Sequence, residues 1–516
     1  MLSASTKQSS AMAPPLDLRV IAALSLLLSL WLILIEPVIN RDAIIYLRTA
    51  EAYLHDGLLA SFAIFDRPFL SIIMALLHQL TGISLLHSGL VLSAVFYAVL
   101  CSAFVSIVRL LGGNRRVQII AAIIILSHPM IGADRDSIMR DAPFWAFSLL
   151  AFRTLLLYVR QPTLKYNYQW FCFIIIATLF RFEGLFFAVL APLAVFTAAS
   201  HNIRFQVSLR LLILPLMAIV TTGAAILFIQ DTLLPDSHLF PNITSYVGKL
   251  RALPDGFAQL SRSTADSLLI FSAKEDASIA AIAGLAAILL ANLARAIMLP
   301  YVVVLIWGKA QHLENIIPRQ FRYLINAHLI IALFYLGLFT LSNRFVLERY
   351  CHIFTIFVAL YLPFLVNAAW APQRKPLTKI LAVLVLVGMS IDVVGSSGHR
   401  KIYKRDASQW LISNTPEAAT IVSNSKYVAY FGGRETDWRN LGAITFKASE
   451  LASKPALWRS ADYIVVKVKP WEFTRWAQFL EDNSLIELKA FPGKSHGKIS
   501  IVKVPHQEKK SSGWRH

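Results

Sequence analysis

Charged residues and cysteines are scarce in this 516-residue sequence. Only 15% of the residues are charged and 56% are hydrophobic, which is far from the composition of an ordinary soluble chain. The three cysteines, Cys101, Cys172 and Cys351, are scattered through apolar segments without paired spacing, which indicates neither a disulfide framework nor a cysteine-ligated metal site. No His-x-x-x-His pair and no Walker or dinucleotide glycine motif is present. The sequence therefore predicts no metal site and no required cofactor, with dependence on a divalent metal left open.

Basic residues outnumber acidic residues, and the formal net charge is +19. Such a charge is typical of nucleic-acid-binding proteins, but here no basic domain with interleaved aromatic residues stands apart from the apolar segments. In a membrane protein, Lys and Arg instead concentrate in loops that face the cytoplasm and its anionic leaflet. The composition predicts a polytopic membrane protein that contacts lipids and no nucleic acid.

The first apolar segment, residues 16–35, has about the twenty residues that cross a bilayer core. A cleaved signal peptide is the competing interpretation, but the segment is long and ends without a small-residue cleavage pattern. Lys7 precedes the segment, Arg19 lies near its start, and Asp42 follows it. By the positive-inside rule, the polar tail of residues 1–15 is cytoplasmic and the next loop faces outward.

Ten further apolar segments predict, with the first, about 11 spans. Residues 42–54 and 68–80 are predicted as helices in the membrane interface. Short loops with Lys or Arg alternate with outer loops that carry both signs of charge near the membrane boundary, as expected of an outward-facing polar cavity. The ten segments are 85–108, 117–131, 143–159, 168–180, 184–199, 211–229, 279–307, 323–341, 352–365 and 377–394.

The sequence becomes less apolar after residue 394, and the odd number of spans places this part outside the cytoplasm. Residues 395–507 are predicted to form a small extracytoplasmic α/β domain, followed by a polar tail at 508–516. The strand-like segments are 419–422, 463–467, 485–490 and 498–504, and the helical ones are 406–412 and 470–482.

Charged motifs occur on the predicted outer side in a fixed order along the chain. The motifs are Asp42, Arg67-Pro68, Arg140-Asp141-Ala142-Pro143, Arg181-Phe182-Glu183-Gly184 and Arg349-Tyr350. That order resembles the GT-C superfamily of polyprenyl-phosphate-sugar-dependent glycosyltransferases, and within it the protein O-mannosyltransferase and lipid A aminoarabinose transferase group. The resemblance covers nearly the whole chain, although each motif is short.

The resemblance implies an integral-membrane enzyme whose catalytic domain is residues 16–394. Such an enzyme transfers a single sugar from a polyprenyl-phosphate carrier to a glycan, lipid or protein acceptor, by an inverting displacement, on the extracytoplasmic side. The implied location is the bacterial inner membrane. Two alternatives are a transporter or flippase of a lipid-linked glycan and a surface polysaccharide polymerase or ligase. Transporters often show internal repeats and mid-membrane charges; no repeat is visible in the sequence.

Asp42 is the candidate catalytic carboxylate. The resemblance implies that it removes the proton of the acceptor as the acceptor attacks the anomeric carbon, and a positioned carboxylate contributes about 10²–10⁴-fold in such a step. Alternatively, Asn40 or Asp42 caps the following helix and stabilises it by about 1 kcal/mol. The two roles are compatible.

Asp141 matches a second acidic position of the family, two residues before a proline at the outer start of a span. An Asp followed shortly by Pro is also a common helix start. Asp134 and Asp136 are rival carboxylates a few residues upstream.

Arg67, Arg349 and Tyr350 are implied to hold the phosphate of the donor, because the planar guanidinium binds phosphate oxygens in a bidentate manner and stays charged. Arg67 is followed by Pro-Phe where related sequences carry two prolines. Each arginine could instead be a snorkelling or ion-paired boundary residue. Arg140, Arg181 and Glu183 are supporting residues; a mutual ion pair between Arg181 and Glu183 is an equally good explanation of that motif.

Overall fold

The computed structural model describes residues 14–198, 204–228, 248, 251–395, 401–436, 438 and 446–505. These residues form two compact units. The transmembrane unit comprises the described residues of Met1–Leu30 and Thr49–Gly395, and the C-terminal unit comprises those of Trp31–Arg48 and Ser396–His516. A short segment from near the start of the chain is therefore part of the C-terminal unit. The sequence-based domain boundaries at 16, 395 and 508 remain predictions.

Helices make up nearly all regular structure before residue 395. In the described part of the chain they are α1 Leu18–Ile35, α2 Ala43–Ile64, α3 Phe69–Thr81, α4 Leu85–Leu110, α5 Arg115–Leu126, α6 Pro129–Gly132, α7 Asp141–Arg160, α8 Leu164–Phe180, α9 Gly184–Ala198, α10 Arg204–Phe228, α11 Leu253–Ser267, α12 Ala277–Ile297, α13 Leu299–Ala310, α14 Arg319–Asn343, α15 His352–Ala359, α16 Leu362–Ala369 and α17 Pro376–Val394.

Polar side chains at the starts of several helices satisfy backbone N–H groups that would otherwise lack partners. Ser84 accepts a hydrogen bond from the backbone N–H of His87 at 3.3 Å, and Asn114 accepts one from Val117 at 3.0 Å. Such N-caps fix where a helix begins. Helix α7 packs between α4 and α8, and its large side chains Phe144, Trp145 and Phe152 are buried. This packing fixes the outer end of α7, where several candidate site residues lie.

Six helices among the described residues are long and apolar enough to cross a bilayer, and seven if α15 and α16 form one span bent by 50°. The chain is thus a multi-pass membrane protein, but the predicted count of 11 spans is not confirmed. Helix α5, where 117–131 is predicted to cross, has 12 residues and rises only about 18 Å, short of the ~30 Å hydrocarbon core. The predicted span 279–307 is divided at Met298, whose φ is 74°, just before Pro300 near the start of α13.

The C-terminal unit contains the predicted α/β fold. Its sheet has the order β2-β1-β3-β5-β4, in which β1 runs parallel to β2 and β3, and β5 runs antiparallel to β3 and β4. Apolar side chains pack on the sheet in two clusters, one around Trp476 and Phe479 and the other around Tyr403 and Leu411. The elements are α18 Ile402–Asn414, β1 Thr420–Val422, α19 Lys426–Phe431, β2 Glu435–Thr436, β3 Tyr463–Val468, α20 Phe473–Asp482, β4 Glu487–Pro492 and β5 Lys498–Lys503.

All four predicted strands occur within two residues of their predicted starts. Strand β2 and helix α19 were not predicted. Strand β2 has only two residues, too few for an alternating pattern, and α19 has six, less than two turns of helix.

Candidate active site

A cavity of about 250 Å³ lies within the transmembrane unit. Its lining combines arginine and glutamate side chains with an aromatic and aliphatic wall. The lining residues come from the segment just before α3, the residue before α7, the α8–α9 loop, the first turn of α9, the second half of α14 and the 3₁₀ turn Glu348–Cys351. The lining residues are Arg67, Arg140, Arg181, Phe182, Glu183, Phe186, Tyr335, Leu338, Phe339, Ser342, Asn343 and Tyr350.

Arg181 is the central charged group of this cavity. Its guanidinium donates one hydrogen bond to Asp141 and another to Glu183, and the side chains of Arg181 and Asp141 are 7% and 6% exposed. The ion pair between Arg181 and Glu183 is therefore present, and the same arginine also binds the acidic residue of α7. The supporting role of the motif in catalysis remains a prediction. A buried cation shared by two carboxylates holds α7 and the α8–α9 loop together.

Glu183 lies in the α8–α9 loop, outside the membrane-spanning segments. Burial by itself would raise the pKa of its carboxyl, but the neighbouring charge of Arg181 and its hydrogen bond outweigh burial, and Arg140 adds to their effect. The pKa of Glu183 is consequently lowered to about 2. Glu183 is therefore ionised at neutral pH and acts as an anchor for Arg181 rather than as an acid.

Two aromatic rings lie against pairs of arginines. The guanidinium carbons of Arg181 and Arg349 lie 5.3 Å and 5.2 Å from the ring centre of Tyr350, and Arg349 donates to the Tyr350 hydroxyl at 3.3 Å. Arg140 and Arg67 lie 5.4 Å and 5.7 Å from the ring centre of Phe65. These cation–π contacts fix the directions of four arginines that were singled out from the sequence.

Arg140 and Arg67 differ in how their charges are balanced. Arg67 forms an ion pair with its neighbour Asp66 at 3.2 Å. Arg140 forms no ion pair among the described residues, and its buried Nη1 has no hydrogen-bond partner among them. Because a buried guanidinium N–H without an acceptor is costly, Arg140 is the group in this cavity best suited to take up an anion.

Arg344, five residues before Arg349 in the sequence, does not line the cavity. It donates to the backbone carbonyl of Gly256 at 2.9 Å. Glu348, the acid nearest to it in sequence, lies 3.6 Å from Arg295 instead. The structure thus gives Arg344 a role in holding α11 near the end of α14, while Arg349 faces Tyr350.

Asp134 and Asp136 do not line the cavity. Asp136 accepts a hydrogen bond from the Ser137 hydroxyl at 3.2 Å. Between them, Arg135 is fully buried and donates to Ser25 at 2.9 Å and to Ser29 at 3.3 Å. This arrangement fixes the 133–137 turn against α1, and any catalytic role of the two aspartates remains a prediction.

Asp42 belongs to the C-terminal unit. It lies directly before α2, and its backbone carbonyl accepts a hydrogen bond from Ile45 at 3.1 Å. Its negative charge acts on Lys426 of the same unit. The position is compatible with both sequence-based roles, which remain predictions.

Several lining residues were missed in the sequence. Tyr335, Phe339 and Phe186 occur inside apolar segments, where aromatic residues are usual and give no signal of function. Tyr335 donates to the backbone carbonyl of Tyr350 at 3.5 Å. The one available signal was the polar pair Ser342-Asn343 at the end of an apolar helix. Among the described residues, no group of three or more His, Cys, Asp or Glu side chains could hold a metal ion.

No protein-family model and no curated protein matches this sequence. Among solved structures it is similar to the arabinofuranosyltransferase AftD from Mycobacteria, with 14% identity and a TM-score of 0.46 over 96% of this chain and 40% of that chain. It is similar to the Archaeoglobus fulgidus oligosaccharyltransferase tethered to an acceptor peptide, with 12% identity and a TM-score of 0.49 over 90% of this chain and 71% of that one.

A third similar structure is ArnT from Cupriavidus metallidurans bound to undecaprenyl phosphate, with 11% identity and a TM-score of 0.44 over 94% of this chain and 97% of that chain. All three are GT-C glycosyltransferases, the superfamily that the sequence motifs resemble. This chain spans less than half the length of AftD.

Proposed function

We propose that this chain is an integral-membrane glycosyltransferase of the GT-C type, which transfers one sugar from a polyprenyl-phosphate carrier to an acceptor glycan, lipid or protein. The observation that carries this proposal is the cavity in which Arg140, without an ion-pair partner among the described residues, lies beside Arg67 and Arg181. Residues 16–394 form the proposed catalytic domain, and no cofactor besides the lipid-linked donor is proposed.

The cavity has the two chemical surfaces that such a donor requires. Its arginines suit a phosphate, because guanidinium groups bind phosphate oxygens through paired N–H donors. Its aromatic wall contains Phe182, Phe186 and Phe339, and Phe182 is 39% exposed. Apolar side chains at this boundary suit the first isoprene units of a lipid. A soluble nucleotide sugar would gain nothing from that wall.

The proposed reaction is a single inverting displacement. An acceptor oxygen attacks the anomeric carbon, the bond between that carbon and the phosphate oxygen breaks, and the electron pair leaves with the polyprenyl phosphate. Asp42 takes the proton of the acceptor, while Arg140, Arg67 and Arg349 stabilise the negative charge of the leaving phosphate. In this proposal Asp141 and Glu183 hold Arg181 in place rather than transferring protons.

The proposed setting is the bacterial inner membrane, with the N-terminus in the cytoplasm and the C-terminal unit outside it. This orientation follows from the Lys- and Arg-bearing loops of the sequence. It brings the reaction to the face of the membrane where surface glycans, lipids and proteins are modified.

The test uses the purified full chain in lipid nanodiscs, with a radiolabelled polyprenyl-phosphate sugar and an extract of membrane acceptors. Arg140→Gln should lower donor turnover by about 10²-fold or more, since it removes charge stabilisation of the leaving group. Arg344→Gln, which changes an arginine of the same unit outside the cavity, is the matched control and should retain activity. Product formed from nucleotide sugars alone, or full activity of Arg140→Gln, contradicts the proposal.

A further inference from the structure

The C-terminal unit carries a group of basic side chains at one edge of its sheet. We call Lys404, Lys426, Lys467 and Arg41 the lysine cluster. Lys426 begins α19, directly after the loop that follows β1, and Lys467 is the second-last residue of β3. Because β1 and β3 are parallel neighbours, their carboxyl ends lie at the same edge of the sheet.

Asn424 joins these two strand ends. Its side-chain carbonyl accepts a hydrogen bond from the backbone N–H of Lys467 at 2.6 Å, and its amide group donates to the Lys467 carbonyl at 3.0 Å. The backbone of Lys467 is therefore fixed against the loop that leads to Lys426. The positions of the two lysines are set by the fold rather than by flexible surface chains.

The remaining members belong to two other segments of the same unit. Lys404 lies in the first turn of α18, and the charges of Lys467, Lys401 and Arg41 all act on it. Arg41 also acts on Lys426, and it lies in the Trp31–Arg48 segment of this unit. Lys401 is compensated by Glu36, 3.6 Å away.

Lys404 and Lys467 form no ion pair with any residue that the structure describes. Burial lowers the pKa of Lys404 to about 8, and its three basic neighbours contribute to this change. Burial also lowers the pKa of Lys467. Half-buried like charges without a counter-charge destabilise one another.

A bound anion would relieve this repulsion. In open α/β sheets, ligands bind outside the carboxyl ends of the parallel strands, which is where Lys426 and Lys467 lie. Ammonium groups are common ligands of phosphate. Asp42, the proposed base, directly follows Arg41, and its charge acts on Lys426. A molecule whose anionic group is bound by the cluster therefore has its other groups close to Asp42.

We propose that the lysine cluster binds a phosphate group of the acceptor, so that the acceptor is a phosphorylated glycan or glycolipid. The identification of the bound molecule as the acceptor rests on the proposed glycosyltransferase function. The phosphate site itself is defined by the lysine cluster.

The test measures how fast individual lysines react with an amine-specific reagent, read by mass spectrometry on the full chain in phosphatidylcholine nanodiscs. Inorganic pyrophosphate is compared with sodium chloride at equal ionic strength. Occupation of the site should raise the pKa of Lys404 and slow its modification by about tenfold. Lys498, which pairs with Glu487 at 2.7 Å, should react equally in both salts. A second arm replaces part of the lipid with phosphatidic acid.

Protection of Lys404 by pyrophosphate supports a phosphate carried by a soluble glycan or headgroup, and protection by phosphatidic acid alone supports a phosphate presented by a lipid. Equal modification of Lys404 in all conditions overturns the proposal. Lys467→Gln should abolish the protection, whereas Lys489→Gln, in exposed β4, should leave it intact. The lysine-modification test contains no sugar donor, so its result is independent of glycosyl transfer. Protection of Lys404 in a protein that shows no transfer in the activity test would refute only the proposed function. Transfer by a protein in which Lys404 is not protected would refute only the phosphate site.

Discussion

Arg181 at the end of α8 donates a hydrogen bond to Asp141 in the first turn of α7, and less than a tenth of either side chain is exposed. The two residues are 40 positions apart in the sequence. Their ion pair therefore joins two helices at the boundary where the proposed substrate cavity lies. Removing one partner leaves a buried charge with half of its compensation.

Asp141→Asn should lower the free energy of unfolding by about 3 kcal/mol, because Arg181 then keeps only Glu183 as a counter-charge. Thermal unfolding in detergent measures this effect. The control is Asp266→Asn, which breaks the exposed pair with Lys274 at 3.1 Å and should cost less than about 1 kcal/mol. Equal losses of stability in the two variants would show that the α7–α8 ion pair is not structurally important.

Glu183 should make the stability of the protein depend on acidic pH. Its pKa is lowered in the folded state from an ordinary value of 4.5 to about 2, so its contribution is complete above about pH 4.5 and is lost as the pH falls towards 2. Wild type should lose more Tm between pH 5 and pH 3 than Glu183→Gln does, as followed by differential scanning calorimetry. Parallel pH curves for the two proteins would contradict the proposed coupling between Glu183 and Arg181.

Asp42→Asn separates the two roles considered for Asp42. Asparagine is as good a helix N-cap as aspartate, but it cannot accept the proton of an acceptor. If Asp42 is the base, transfer should fall by about 10²–10⁴-fold while the Tm is unchanged. Asp56→Asn, which alters an exposed position of α2, is the control and should retain activity. Normal transfer by Asp42→Asn would leave only the capping role.

Gly184→Ala should destabilise the α8–α9 reversal. A Cβ atom at Gly184 would lie 2.6 Å from the Thr178 hydroxyl and 2.8 Å from the Thr178 backbone nitrogen, and backbone atoms cannot move aside cheaply. We expect a loss of about 1–3 kcal/mol. Gly337→Ala, within α14, meets no atom within 4 Å and should be neutral or slightly stabilising. A harmless Gly184→Ala substitution would mean that the loop has room to shift.

The sequence predicted the parts of the site that are polar in an apolar setting. Arg67, Arg140, Arg181, Glu183 and Tyr350 were chosen from four separate motifs, and all five line one cavity. Charges near a membrane boundary are expensive, so they rarely occur without a purpose. The aromatic wall could not be found in this way, because Tyr335 and Phe339 do not differ from the other apolar residues of a span.

The number of spans was the least predictable feature. Hydropathy measures the length of an apolar segment but does not detect a break inside it. At Met298 the chain takes a positive φ, and its N–H bonds to the carbonyls of both Ala294 and Arg295. Met298 itself carries no sequence signal for a break in the helix, and Pro300 is the only nearby residue that indicates one.

The inclusion of Trp31–Arg48 in the C-terminal unit has a consequence for biosynthesis. Glu36 must find Lys401 after a ribosome has added about 350 further residues, and contacts that close so long a loop form late in folding. Until then, the Trp31–Arg48 segment lacks the rest of the C-terminal unit. A protein truncated anywhere before residue 401 would therefore leave Asp42 and its neighbours without the packing that orders them, however well the helices insert.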